Sequence, residues 1–212
     1  MEKFLNIIAW AISIVFHPLG MTVVGCAIYI YCYLTPFFPI QNDYFKIILD
    51  YCLPVFALYY LLPIILCSVY ALFFRKNFDL NSKRHRLVML CIVILSYSTN
   101  LLFNGLNTYI LNEYLVCCNC LLVIALVISY SWRISLHTIG IGGVIGLLCY
   151  LQICQPFASA VALSLLPPIL VVAGLIGSAR LQLNAHTPLQ VYVGYLVGIV
   201  GVCAGMAVTS AL

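Results

Sequence analysis

The chain has 212 residues, 65% hydrophobic and 7% charged, and its mean hydropathy is +1.16. That leaves too little polar surface to cover a water-soluble globule, so a soluble domain is excluded and an integral membrane protein is expected. The net charge is only +4, yet an ionisable side chain near a bilayer is costly enough to mark a functional position by default.

A spanning helix needs roughly 20 apolar residues. Stretches that meet this run from about Phe4 to Leu34, Phe45 to Phe74, Leu87 to Phe103, Tyr114 to Trp132, Thr138 to Cys154, Ala158 to Gly177 and Leu189 to Leu212. The expected fold is therefore an all-α polytopic bundle of seven transmembrane helices, with six as the rival count, forming a single domain over 1–212. The first stretch has only Lys3 ahead of its apolar run and shows no small-residue cleavage site, so it reads as a retained span. His17-Pro18 inside it predicts a kink with the histidine turned inward.

Tyr29, Tyr31, Tyr33, Tyr59 and Tyr60 read as interfacial belt residues, and His85 within Lys83-Arg84-His85-Arg86 as a solvated loop residue. Pro167-Pro168 is expected to bend the sixth stretch. Gly142-xxx-Gly146, Gly194-xxx-Gly198 and Gly201-xxx-Gly205 each place small residues on one helix face and predict close helix packing. The eleven cysteines are scattered through apolar spans, where a free thiol behaves as a small hydrophobe. No cysteine pair stands near a histidine or carboxylate, so no metal site is expected.

With seven spans drawn, Lys3, Arg75, Lys76, Lys83, Arg84, Arg86, Arg133 and Arg180 fall on one side and Lys46 on the other. The positive-inside rule would make the rich side cytoplasmic, unless these cations are there to bind an anion. The same topology brings three polar islands to one face: the basic loop from Arg75 to Arg86, Arg133-Ile134-Ser135-Leu136-His137, and Arg180 to His186. Arginine and lysine match phosphate oxygens, helix starts add N–H donors, and two imidazoles can divide the work of nucleophile and proton donor. The acidic residues Glu2, Asp43, Asp50, Asp79 and Glu113 are too dispersed to hold Mg²⁺. Phosphoester cleavage here would be metal-independent, with no cofactor.

The order and spacing of these islands resemble the type 2 phosphatidic acid phosphatase superfamily of membrane lipid phosphatases. That pattern is a lysine, six residues and Arg-Pro; later Pro-Ser-Gly-His; later Ser-Arg, five residues, His, three residues and Asp. Arg180, His186 and Gln190 keep the spacing of the third block, Ser135-Leu136-His137 stands for the second, and Lys76 followed by Lys83-Arg84 approximates the first. The resemblance covers residue 75 to the end as a phosphatase-like core; the two spans within 1–74 carry no motif.

The resemblance implies His186 as the nucleophile that forms a phosphohistidine and His137 as the acid that protonates the departing alcohol. Arg180 and Ser135 would form the phosphate cradle with basic-loop residues drawn from Lys76, Lys83 and Arg86. The implied substrate is a lipid phosphate, with membrane lipids as surroundings and no nucleic acid. Bacterial relatives imply an inner-membrane protein with its site facing outward, opposite to the side given by charge counting. Leu136 replaces the family glycine, Ala179 the serine, and Gln190 the aspartate that would orient the nucleophilic imidazole. Gln190 can hold His186 through its carbonyl oxygen, or it can close a capping box with Thr187 ahead of Pro188. The alternative to an enzyme is a non-catalytic lipid-phosphate binding or transport protein on the same scaffold.

Overall fold

The structure, a computed structural model, describes residues 2–35, 43–75, 79, 82–102 and 109–210. The described chain is all-helical, as a backbone surrounded by hydrocarbon must be if its N–H and C=O groups are to be satisfied internally. The helices are α1 (Glu2–Val15), α2 (Pro18–Leu34), α3 (Asp43–Val55), α4 (Leu62–Phe73), α5 (Lys83–Leu102), α6 (Tyr109–Ser131), α7 (Leu136–Cys154), α8 (Ser159–Gln182) and α9 (Pro188–Thr209). A π-helical segment, Phe56–Leu61, joins α3 to α4, so that Leu49–Phe73 forms one apolar rod. Five helices are long and apolar enough to cross a membrane, and α1 with α2 adds a sixth if that bent pair is one span. Large apolar side chains such as Ile65, Leu72, Leu95, Val127, Val171 and Leu196 face outward, an arrangement that lipid accepts and water would not. The protein is an integral membrane protein.

The first apolar stretch is two helices meeting at 55°. Pro18 opens α2 and pushes the residue before it into extended backbone; His17 takes φ −59° and ψ 138°, and its Nδ1 accepts the Leu19 N–H at 3.4 Å. The kink therefore exists, and the histidine caps the second helix. α8, in contrast, continues as one helix through Pro167 and Pro168.

α7 is the central element: 67% of its apolar stretch is buried, against 22–39% for the other four long spans. Its most extensive partner among the described residues is α9. A methyl group added at Gly142 would lie 2.7 Å from the Tyr195 carbonyl oxygen, one at Gly146 would strike the Ile199 carbonyl, and one at Gly198 the Ile139 carbonyl. Two of the glycine pairs thus face each other across a backbone-to-backbone seam. The third serves a different neighbour, since Gly201 and Gly205 meet Leu121 and Cys117 of α6. Around this seam α2, α4, α5 and α6 close the main core, and a smaller cluster of Met21, Ile141, Val144 and Ile176 joins α2 and α7 to α8.

Two expectations are corrected here. Tyr29 and Tyr59 are core residues, 5% and 2% exposed; Tyr59 stacks edge-on against Tyr97, whose hydroxyl donates to the Tyr59 carbonyl at 3.0 Å and pairs with Thr22 at 3.1 Å. The phenol satisfied by these bonds is that of Tyr97, itself 1% exposed, which accounts for its burial beside Tyr59. His85 is a buried residue in the first turn of α5, its Nδ1 bonded to the Tyr70 hydroxyl at 2.8 Å. The helix begins at Lys83 rather than after the basic run, which turns His85 inward while Lys83 and Arg84 stay exposed.

Overpacking a close-packed seam costs about 1–3 kcal/mol. Gly198→Ala is expected to lower thermal stability in detergent by that amount. Gly174→Ala, with nothing within 4 Å of the added carbon, is expected to leave stability unchanged or raise it. A melting series on the two variants checks the seam.

Candidate functional site

α8 ends and α9 begins through two local motifs that together fix the segment carrying Arg180 and His186. At the end of α8, Ala185 N–H donates to the Arg180 carbonyl at 3.2 Å and Asn184 N–H to the Leu181 carbonyl at 2.9 Å. Asn184 sits at φ 49°, in the left-handed region. This is a Schellman stop with asparagine where glycine is commonest. At the start of α9, Thr187 is the N-cap, Pro188 the first helical residue and Gln190 the capping-box partner. His186 is the single residue between the two motifs.

The two roles foreseen for Gln190 are not alternatives. Its Oε1 accepts the Thr187 N–H at 3.1 Å and lies 3.2 Å from His186 Nδ1. A carbonyl oxygen has two lone pairs, so one atom serves the helix and the histidine together. The Thr187 N–H identifies that atom as the oxygen, and an oxygen that only accepts requires Nδ1 to be the protonated nitrogen. The Arg133 backbone is a further hydrogen-bond partner of the same ring. Burial draws the His186 imidazole below its ordinary 6.5 and the charges of Arg180 and Arg133 add to this, while the bonds to Gln190 and to the Arg133 backbone oppose it.

His137 lies in the first turn of α7, close enough to Arg180, His17 and His186 to feel their charge. Its Nε2 donates to the Ser13 carbonyl at 3.1 Å, and the Ser13 hydroxyl accepts from Arg180 Nη1 at 3.3 Å. The Nε of Arg180 is buried without a hydrogen-bond partner, as is the hydroxyl of Ser135, which is 0% exposed. Ser135 is the N-cap of α7, yet its side chain makes no capping bond. The starts of the two site helices therefore differ: α9 is closed by its capping box and α7 is open. Backbone N–H groups, the positive end of the helix dipole, an unpartnered serine hydroxyl and an unpartnered arginine N–H meet there.

The basic loop contributes less than expected. Arg86 donates Nη2 to the Ser129 carbonyl at 3.0 Å, keeps a buried, unpartnered Nε, and feels the charge of Arg133, which joins it to the cluster. Lys83 instead places its Nζ 3.7 Å from the centre of the Tyr130 ring, an exposed cation–π contact. Lys76 lies outside the described residues. Among the described residues no three His, Cys, Asp or Glu side chains are grouped to hold a metal ion.

The site also contains residues that sequence reasoning did not place there. Ser13 holds both His137 and Arg180, and the ring of His17 stands edge-on to that of His137 at 6.1 Å and to that of Tyr60 at 6.1 Å. The available signal was a serine and a histidine four residues apart, the histidine directly before Pro18, in an otherwise apolar stretch. Asn6 reinforces the contact, accepting from Gln182 Nε2 at 3.0 Å. Searches against protein-family models, curated proteins and solved structures find no match to this chain.

Because its carbonyl oxygen favours the imidazolium, removing Gln190 removes an upward influence on His186. In a ¹⁵N-imidazole titration His186 is expected to titrate below 6.5, lower still in Gln190→Leu, and above the wild-type value in Gln190→Asp. An unchanged midpoint in all three proteins contradicts the geometry.

Proposed function

We propose that this chain is a metal-independent membrane phosphatase or phosphotransferase acting on a lipid phosphate, a divergent protein of the type 2 phosphatidic acid phosphatase kind. The observation that carries this reading is the pair of orphaned donors, Arg180 Nε and Ser135 Oγ, at the open start of α7 beside two histidines. A buried donor without a partner costs about 1–3 kcal/mol. A phosphate oxygen at each would recover that cost with a charge-assisted bond.

In the proposed reaction the phosphate enters beneath α1 and replaces Ser13 as the partner of Arg180 Nη1 and His137 Nε2–H. The phosphate arrives as its monoanion and gives its proton to His137, making it an imidazolium. His186 Nε2 then attacks phosphorus in line, the N–P bond forms as the ester P–O bond breaks, and His137 passes its Nε2 proton to the departing alkoxide and returns to the neutral ring. Water then attacks the phosphohistidine, giving its proton back to His137 and releasing phosphate. Gln190 keeps Nδ1–H oriented throughout but supplies no charge to the phospho-imidazolium, so turnover slower than with a carboxylate is expected. The lowered proton affinity of His186 keeps it unprotonated across neutral pH, and the acid limb of kcat/KM should lie below 6.5.

A seven-span topology fits this reading, with α2 crossing from the face that carries His17, α1 lying at that face, and α5 crossing beyond Arg86. Every polar island then lies on one face, at the level of the headgroups. The second reading, a binder or transporter of lipid phosphates, draws on the neutral Gln190 and on Ser13 occupying His137 and Arg180.

Phosphate release from an alkyl phosphate is expected to be vanadate-sensitive and EDTA-resistant. A ³²P label that is acid-labile and base-stable should form on the wild type and be absent from His186→Ala. Full activity in His186→Ala sinks the mechanism, and headgroup binding without labelling or release favours the binder.

A further inference from the structure

A half-open cavity of about 440 Å³ lies inside the bundle, between α2, α4, α5, α6, α7 and α9. Along α5 it follows Arg86, Leu90, Val93 and Tyr97, positions on one helix face that cover about 16 Å at 1.5 Å per residue. Its walls are apolar, with Met21, Ile64, Leu121, Ile139 and Val202 among them. At its Tyr97 end the polar groups are already satisfied, because the Tyr97 hydroxyl joins Thr22 to the Tyr59 carbonyl. Nothing there asks for a polar ligand. The other end differs: Arg86, with its buried unpartnered Nε, and His17, edge-on to His137, both line the cavity. One end thus belongs to the cationic cluster and the other to the hydrocarbon interior.

We propose that this cavity holds the hydrocarbon chain of the phosphorylated lipid, so that the substrate tail lies between the helices of the protein while its phosphate sits at the start of α7. The proposal rests on the lipid-phosphate reading of the site and narrows it to a substrate class. At roughly 30 Å³ per methylene, the share of volume of one water molecule, the space takes a chain of on the order of 15 carbons. A single-chain phosphate, or a lipid that leaves its second chain in the bilayer, is the substrate that fits. Arg86 then acts at the junction, its Nε–H directed to an oxygen of the headgroup or of the first ester linkage.

The test uses the full-length protein in nanodiscs and a hexadecyl phosphonate bearing a diazirine at the chain end, which needs no turnover. Photolysis is expected to place adducts on the peptides containing Thr22 and Val93–Tyr97, and unlabelled hexadecyl phosphate, unlike butyl phosphate, should compete them away. Ala71→Trp and Ile64→Trp narrow the cavity from α4; each should reduce this labelling at least tenfold and lower the preference for hexadecyl over butyl phosphate by a similar factor. Adducts confined to outward residues such as Leu163, Val171 and Leu196, or labelling indifferent to both substitutions in folded protein, overturn the proposal. Labelling inside the cavity with no phosphate release from any substrate leaves the chain site standing and removes the phosphatase reading.

Discussion

The contact of α7 with α9, backbone against backbone, is the constraint from which the rest of the arrangement follows. With no side chain at Gly142, Gly146 or Gly198, carbonyls of one helix lie where a methyl group of the other would be. In lipid, where apolar surfaces gain little by meeting, such close van der Waals packing is what holds helices together. The seam continues to the polar face: a methyl at Gly194 would strike the Thr138 hydroxyl and lie 3.0 Å from the Ser135 carbonyl. The same packing that makes the core therefore sets the first turn of α7 against the first turns of α9. His137 and His186 inherit a fixed separation from hydrocarbon chemistry, with no ionic bond required.

On that rigid base the polar groups are distributed unevenly. The α9 side is internally complete, because Thr187 and Gln190 satisfy each other and His186 shares the same amide oxygen. The α7 side is incomplete, and its remaining needs are met in part from the far end of the chain by Ser13. Satisfied groups hold geometry and unsatisfied ones attract ligands, so under the proposed function the division separates a positioning half from a receiving half. The apolar cavity beneath the receiving half extends the division from charge to hydrocarbon.

Much of this was legible in the sequence, for reasons that can be stated residue by residue. The long apolar runs fix helices because the bilayer admits little else, and Arg180, His186 and Ser135-Leu136-His137 stand out because ionisable and polar groups are rare in such a chain. The Thr187-Pro188-Leu189-Gln190 start of α9 was readable because capping is a local code. What was not legible depends on distance in the fold. Ser13 and His17 reach the site only through a 55° bend and a contact with a helix more than 150 residues away. Tyr59 and His85 carry polar atoms that suit an interface equally well; the Tyr70 hydroxyl makes the burial of His85 tolerable, and Tyr59 is enclosed by its edge-on packing against Tyr97. Gln190 was misjudged for a smaller reason: two tasks were set in competition for a side chain whose oxygen can accept twice.

The turn between α8 and α9 also bears on what a motif spacing means. A Schellman stop occupies the residues from Arg180 to Ala185, a capping box starts at Thr187, and one residue is left to join them. The interval from arginine to histidine is thus a ruler marked by backbone hydrogen bonds, and any helical hairpin closed by these two motifs will reproduce it whatever its side chains do. Spacing of this kind reports a shape of chain; only the identities placed at its ends report a chemistry. A one-residue insertion between Leu183 and Thr187 would leave every side chain in the sequence and still destroy the site, because the ruler, and not the residues, would have changed.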